Sequence, residues 1–145
     1  SRSQFMSDAR FIRRWHFSAS HRYGRADWST ERNRSVFGAQ MDIHEHDWML
    51  EVHTVGPIDP DTGFSVDLSA VDRIVGDMTE GWDGGDLNVL IPEVASGSLV
   101  PTTESLARWA YMHLESRISP PARLVRVALF ESPTVGSQYP AEESP

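Results

Sequence analysis

Residues 44–55 (HEHDWMLEVHTV) alternate with the period of an extended strand, and His44, His46, Trp48, Leu50 and Val52 fall on one face. A strand with so apolar a face must lie in a sheet whose face is covered, so this run commits the chain to a sheet packed against other elements. It also has a chemical consequence. Side chains two apart on a strand point the same way, so His44 and His46 can converge on one ion while Glu45 points to the opposite side. His21, in Phe17-Ser18-Ala19-Ser20-His21, sits near the end of an earlier strand-like run. Three neutral imidazoles with one open position form a typical catalytic zinc site.

The 145 residues fit one domain with a proper core, and the five Trp and six Phe argue for a folded globule. What is missing narrows the chemistry further. The chain has no cysteine, which excludes thiolate nucleophiles, disulfides and Cys-ligated zinc. All 13 basic residues are arginine, so a lysine Schiff base is excluded as well. Carbon-bond chemistry here requires a metal or acid–base groups. Residues 1–34 hold eight of the 13 arginines and three of the 21 acids, a start that attracts anions on an otherwise acidic chain. A net charge of −8 argues against nonspecific nucleic-acid binding. No apolar run is long enough to span a membrane, and no secretory signal is present, which points to the cytoplasm.

Residues 1–9 read as an N-terminal extension or an expression remnant, with Met6 as the natural start; residues 10–139 form the domain and 140–145 a disordered tail. Residues 11–20 alternate as a first strand, and the polar, aperiodic stretch 23–37 reads as a long loop. After the turn-rich segment 56–63, a helix over residues 68–79 follows Asp67 as its N-cap, with Val71, Ile74, Val75 and Met78 on its apolar stripe. Residues 81–88 are a glycine-rich break. A second helix runs from Pro101-Thr102 to about residue 117 and is stopped by Pro120-Pro121. Residues 124–131 form a further strand and 135–139 a short last one. The order β-β-α-α-β-β predicts an α+β fold, an antiparallel sheet with two helices on one face. Its open edges favour edge-to-edge association of subunits.

Six motifs in this order resemble the 6-pyruvoyltetrahydropterin and 6-carboxytetrahydropterin synthase family over nearly the whole chain. They are the F-x-A-x-H of Phe17 to His21, the H-x-H of His44 and His46, and the G-x-V-x-D-L-like segment of Gly63 to Leu68. The turn Trp82-Asp83-Gly84-Gly85-Asp86-Leu87-Asn88, the P-T-x-E of Pro101 to Glu104, and Leu129-Phe130-Glu131 complete the set. The resemblance implies a tunnelling fold whose subunits join into a β-barrel, usually a hexamer made of two trimers. It implies zinc held by His21, His44 and His46. It further implies a pterin-like ring anchored by Glu131 at a subunit interface, helped by Thr102, Thr103 and Glu104. A carboxylate suits that task because it accepts two parallel hydrogen bonds from an N–H and NH₂ edge.

The chain departs from the family where protons move. Family enzymes use a cysteine shortly before the zinc histidines and a histidine in the turn that Trp82 to Asn88 resembles. Here residues 38–43 (GAQMDI) carry no cysteine, and Gly84 follows the retained Asp83 where the histidine would stand. Each acid–base group supplies about 10²–10⁴-fold in rate, so substitutes are required for the usual chemistry. The candidates are Asp42, Asp83 and Glu45; His53 and His16 have the wrong strand parity, and His113 suits a packing role on the second helix. Three functions stay open: a zinc-dependent lyase or cyclase acting on a pterin or related heterocycle, the same zinc fold turned to a non-pterin substrate, or a noncatalytic ligand-binding homologue.

Overall fold

The long alternating run is a strand, and it organises everything around it. In the computed structural model, which describes residues 8–142, β1 (Asp8–His21) and β2 (His44–Pro57) form an antiparallel pair with Ala19 opposite His46 and Phe17 opposite Trp48. β4 (Arg123–Ser132) pairs antiparallel with β2, and β5 (Val135–Tyr139) with β4. A two-residue strand, β3 (Gly85–Asp86), runs parallel to β1 and gives the sheet order β3-β1-β2-β4-β5. The glycine-rich break thus contains a strand that composition hides. It is too short for any alternation to register.

Between β1 and β2 lies α1 (Thr30–Phe37), where the sequence reads as loop. Its support is polar. Ser29 caps it by accepting from the Arg32 amide, and buried Asn33 donates to the carbonyls of Arg25 and Ser29 while accepting from the Arg25 amide. A helix held by a cap and an asparagine presents no apolar stripe, which is why periodicity missed it. α2 (Leu68–Met78) is as the spacing predicts, with the Asp67 carboxylate accepting from the Ala70 amide. Two single-turn helices follow β3, α3 (Leu87–Leu90) and α4 (Pro92–Ala95). α5 (Thr103–Leu114) packs against β4 and β5, and a 3₁₀ turn completes it at Arg117.

The core lies between the helices and one face of the sheet. Phe17, Trp48, Leu50, Val52, Val127 and Leu129 from the strands meet Val71, Val75, Leu106 and Ala110 from α2 and α5. Trp48 is pinned at its polar edge, its indole N–H donating to Ala19 O at 2.9 Å. Burial of such a ring with its N–H satisfied contributes several kcal/mol, so Trp48→Ala costs about 3–5 kcal/mol.

β1 begins at Asp8, inside the stretch read as an extension, and residues 1–7 lie outside the described residues. In the tail read as disordered, Ala141 is placed, its carbonyl 3.4 Å from the Arg126 guanidinium, whereas residues 143–145 lie outside the described residues. No helix among the described residues is long and apolar enough to cross a membrane.

Candidate metal centre

The β1–β2 register alone assembles the histidines. His21 stands directly opposite His44, and such cross-strand partners share a face. His46, two residues along, lies on that same face. One ligand nitrogen from each imidazole falls within 4.8 Å of the others. The ring centroids of His21 and His44 are 4.5 Å apart, and those of His21 and His46 5.2 Å.

The second nitrogen fixes the rings. His21 Nδ1 donates to Pro101 O at 3.0 Å and His44 Nδ1 to Asp42 O at 2.8 Å. With the proton on Nδ1, each ring presents an Nε2 lone pair, the arrangement by which a backbone carbonyl orients a metal-ligating histidine. The Nε2 atoms of His21, His44 and His46 are all buried and have no hydrogen-bond partner. Burial pushes the His21 pKa down to about 4, despite the Pro101 carbonyl that favours its protonated form, and the other two histidines add to the lowering. The ring is therefore neutral and ready to ligate near neutral pH. Unsatisfied buried nitrogens are costly unless something binds them, so the donor set fits a divalent ion suited to imidazole.

One carboxylate reaches this cluster. Glu131 Oε2 is also buried without a hydrogen-bond partner, 3.4 Å from His21 Nε2 and 3.3 Å from His46 Nε2. The Thr102 hydroxyl is engaged in capping α5, accepting from the Ser105 amide. Buried Thr103 donates to Glu104 Oε1 at 2.9 Å, and Ser137 donates to the same oxygen at 3.1 Å. The backbone N–H of Glu104 itself, with these two hydroxyls, holds its carboxyl below the usual range. Tyr23 packs edge-on against His21, and burial pushes its hydroxyl up to about 12, reinforced by Glu131 and Glu104. Sequence reasoning missed Tyr23 and Ser137. The signal for Tyr23 was present, since it lies two residues beyond His21.

None of the three acids expected to move protons is among the groups that converge with the histidines. Asp42 is exposed and paired with Arg34 at 3.2 Å. Glu45 is exposed, on the parity opposite to the histidines. Asp83 Oδ1 accepts from the Ser18 amide at the β3 side of β1 and lines a recess of about 350 Å³ with His16, Ser18 and Asp47. Gly84 beside it has φ 78°, a left-handed turn that favours glycine over any residue with a side chain. A second recess of about 280 Å³ is lined by Tyr23, Arg22, Arg25 and Met41, and none of the three histidines lines it.

The chain is an α+β subunit, a five-stranded sheet covered by helices on one face with three convergent histidines, and comparison with known proteins gives its family. The family model for 6-pyruvoyl tetrahydropterin synthase matches residues 11–142. The chain is 31% identical over 127 residues to the 6-pyruvoyl tetrahydrobiopterin synthase of Pongo abelii, and 30% identical over 127 residues to that of Homo sapiens, covering 86% of each sequence in both cases. Its fold superimposes on the 6-pyruvoyl tetrahydropterin synthase structure of Caenorhabditis elegans with a TM-score of 0.81 at 24% identity, covering 95% of this chain and 96% of that one. The chain belongs to the 6-pyruvoyl tetrahydropterin synthase family.

Proposed function

We propose that this chain is a zinc-dependent lyase or cyclase acting on a pterin or a related small heterocycle. The observation that carries the reading is the convergence of three buried, unpartnered Nε2 atoms, with the rings of His21 and His44 held by backbone carbonyls on their far side. When bound, zinc supplies Lewis acidity, polarising a substrate oxygen and acidifying the carbon or hydroxyl beside it. The chain's own residues do the rest. His21, His44 and His46 hold the ion. Glu131 takes the N–H and NH₂ edge of the ring, and Thr102, Thr103 and Glu104 frame it from the N-terminus of α5.

Proton transfer in this reading falls to Asp83, Asp42 or Glu45 in place of the family cysteine and histidine. Asp83 is held by the Ser18 amide, and in this reading it completes a metal site together with a second copy of the chain. This accords with a homo-oligomer, a hexamer built as a dimer of trimers, whose sheets join at their edges into a barrel; β5 offers such an edge. The test is turnover of reduced pterins by protein stripped of metal and then reconstituted with zinc. Activity should vanish and return; full activity in the stripped protein contradicts the reading.

One observation favours a second reading. Asp42 is already paired with Arg34 and Gly84 offers no side chain, so the proton-transfer positions differ from the family's on both counts. The zinc fold would then serve a specialised biosynthetic step on a non-pterin substrate, or bind a ligand without turnover. Loss of pterin affinity in Glu131→Ala supports the first reading; absence of pterin binding by the unmodified protein supports the second.

A further inference from the structure

Glu131 stands in an unusual relation to the imidazoles. Its Oε2 is buried, has no hydrogen-bond partner, and lies 3.4 Å from His21 Nε2 and 3.3 Å from His46 Nε2. The Nδ1 proton of His21 is committed to the Pro101 carbonyl, so a lone pair faces that anionic oxygen. Two electron-rich atoms so placed repel unless a cation lies between them. The separation itself is informative. Ligands about 2.0–2.1 Å from a tetrahedral zinc stand about 3.3–3.4 Å from one another along the edges of the tetrahedron. The oxygen of Glu131 thus sits at ligand-to-ligand distance from two of the three histidines.

We infer that Glu131 is the fourth protein ligand of the resting metal site, so that the empty enzyme holds its ion in a closed His₃Glu set. This rests on the metal reading above and deepens it. Four protein ligands are the mark of a closed site, whereas catalysis needs an open position. Glu131 therefore has two exclusive uses for one oxygen: it closes over the imidazoles in the empty site and turns to the ring edge when a ligand arrives. Glu131 lies near the end of β4 with its side chain partly buried, and a change of side-chain rotamer turns the carboxylate without moving the strand.

The experiment measures metal binding without any substrate, on the full chain. Zinc affinity is determined by competition with a chelator for the unmodified protein, Glu131→Gln and Glu131→Ala, and cobalt(II) is loaded in place of zinc to record its visible spectrum. Circular dichroism establishes that each variant is folded. Loss of a group hydrogen-bonded to a ligand weakens metal binding about 10–100-fold, and loss of a ligand weakens it at least as much. The inference requires both variants to bind zinc at least about tenfold more weakly, with an altered cobalt spectrum. Unchanged affinity and spectrum, the outcome if Glu131 merely shares a proton with His46, overturns the inference and leaves the three-histidine site standing. Unmodified protein that takes up no metal overturns both.

Discussion

One strand carries two histidine environments, and they differ in what is left unsatisfied. His46, near the start of β2, faces the helices and has a buried Nε2 with no hydrogen-bond partner. His53, seven residues on and on the other face, has both nitrogens engaged. Nδ1 is 3.1 Å from the Arg10 guanidinium, Nε2 donates to Glu51, and Glu51 also accepts from Arg14 at 2.7 Å. Burial alone would raise the Glu51 carboxyl, but the bonds from Arg14 and His53 outweigh it and hold the group below its usual range. Both sites are polar. The first leaves buried nitrogens without a partner, and the second is already complete within the chain. Position on the strand decides which is which, because parity sends each set to a different side of the sheet.

The largest expected contrast is in stabilisation by metal. With free zinc at about 1,000 times its Kd, folded protein gains ~4 kcal/mol against unfolded chain. His46→Ala should lose nearly all of that gain in thermal unfolding, while His53→Ala keeps it; equal losses would dissolve the distinction between the two faces. The next is a dependence on pH in metal-free protein. Unfolded histidine titrates near 6.5 and folded His21 at about 4, so between these values the unfolded chain binds more protons. Stability is then full above about pH 6.5 and falls as pH drops toward 4, by roughly 3 kcal/mol from this residue. His21→Gln should flatten that part of the urea-unfolding profile, and an unchanged slope would argue against burial as the cause.

On the other face, Glu51→Ala removes the shared acceptor of Arg14 and His53. A loss of about 1–2 kcal/mol is expected, with metal content untouched. Metal lost along with stability would mean that the two faces are coupled. The smallest effect belongs to neither environment. Asp67→Ala removes the α2 cap and should lower stability by ~1 kcal/mol without changing metal binding.

The parts of the molecule that were legible beforehand are those where one residue type repeats with a period. The parity of β2 placed His44 and His46 together and sent His53 away, and the stripe of α2 with its Asp67 cap located that helix. α1 was hidden because Ser29 and Asn33 hold it instead of an apolar face. β3 was hidden because two residues cannot show alternation. At the site, strand periodicity placed the histidines, but the approach of Glu131 to them depends on the pairing of β2 with β4 across 80 or so residues of chain, which no local pattern encodes. The expected proton carriers show the converse limit. Asp42 and Asp83 were chosen by likeness to a motif, and only the folded chain reveals that one is engaged by Arg34 and the other by the Ser18 amide.

The central claim is that three histidines form a metal centre, and metal content per chain tests it most directly. Protein purified without an affinity tag, exposed to zinc and freed of excess, should carry about one ion per chain, and His44→Ala should carry almost none. A folded, unmodified protein that retains no metal, or a His44→Ala variant that retains as much as its parent, would contradict the account.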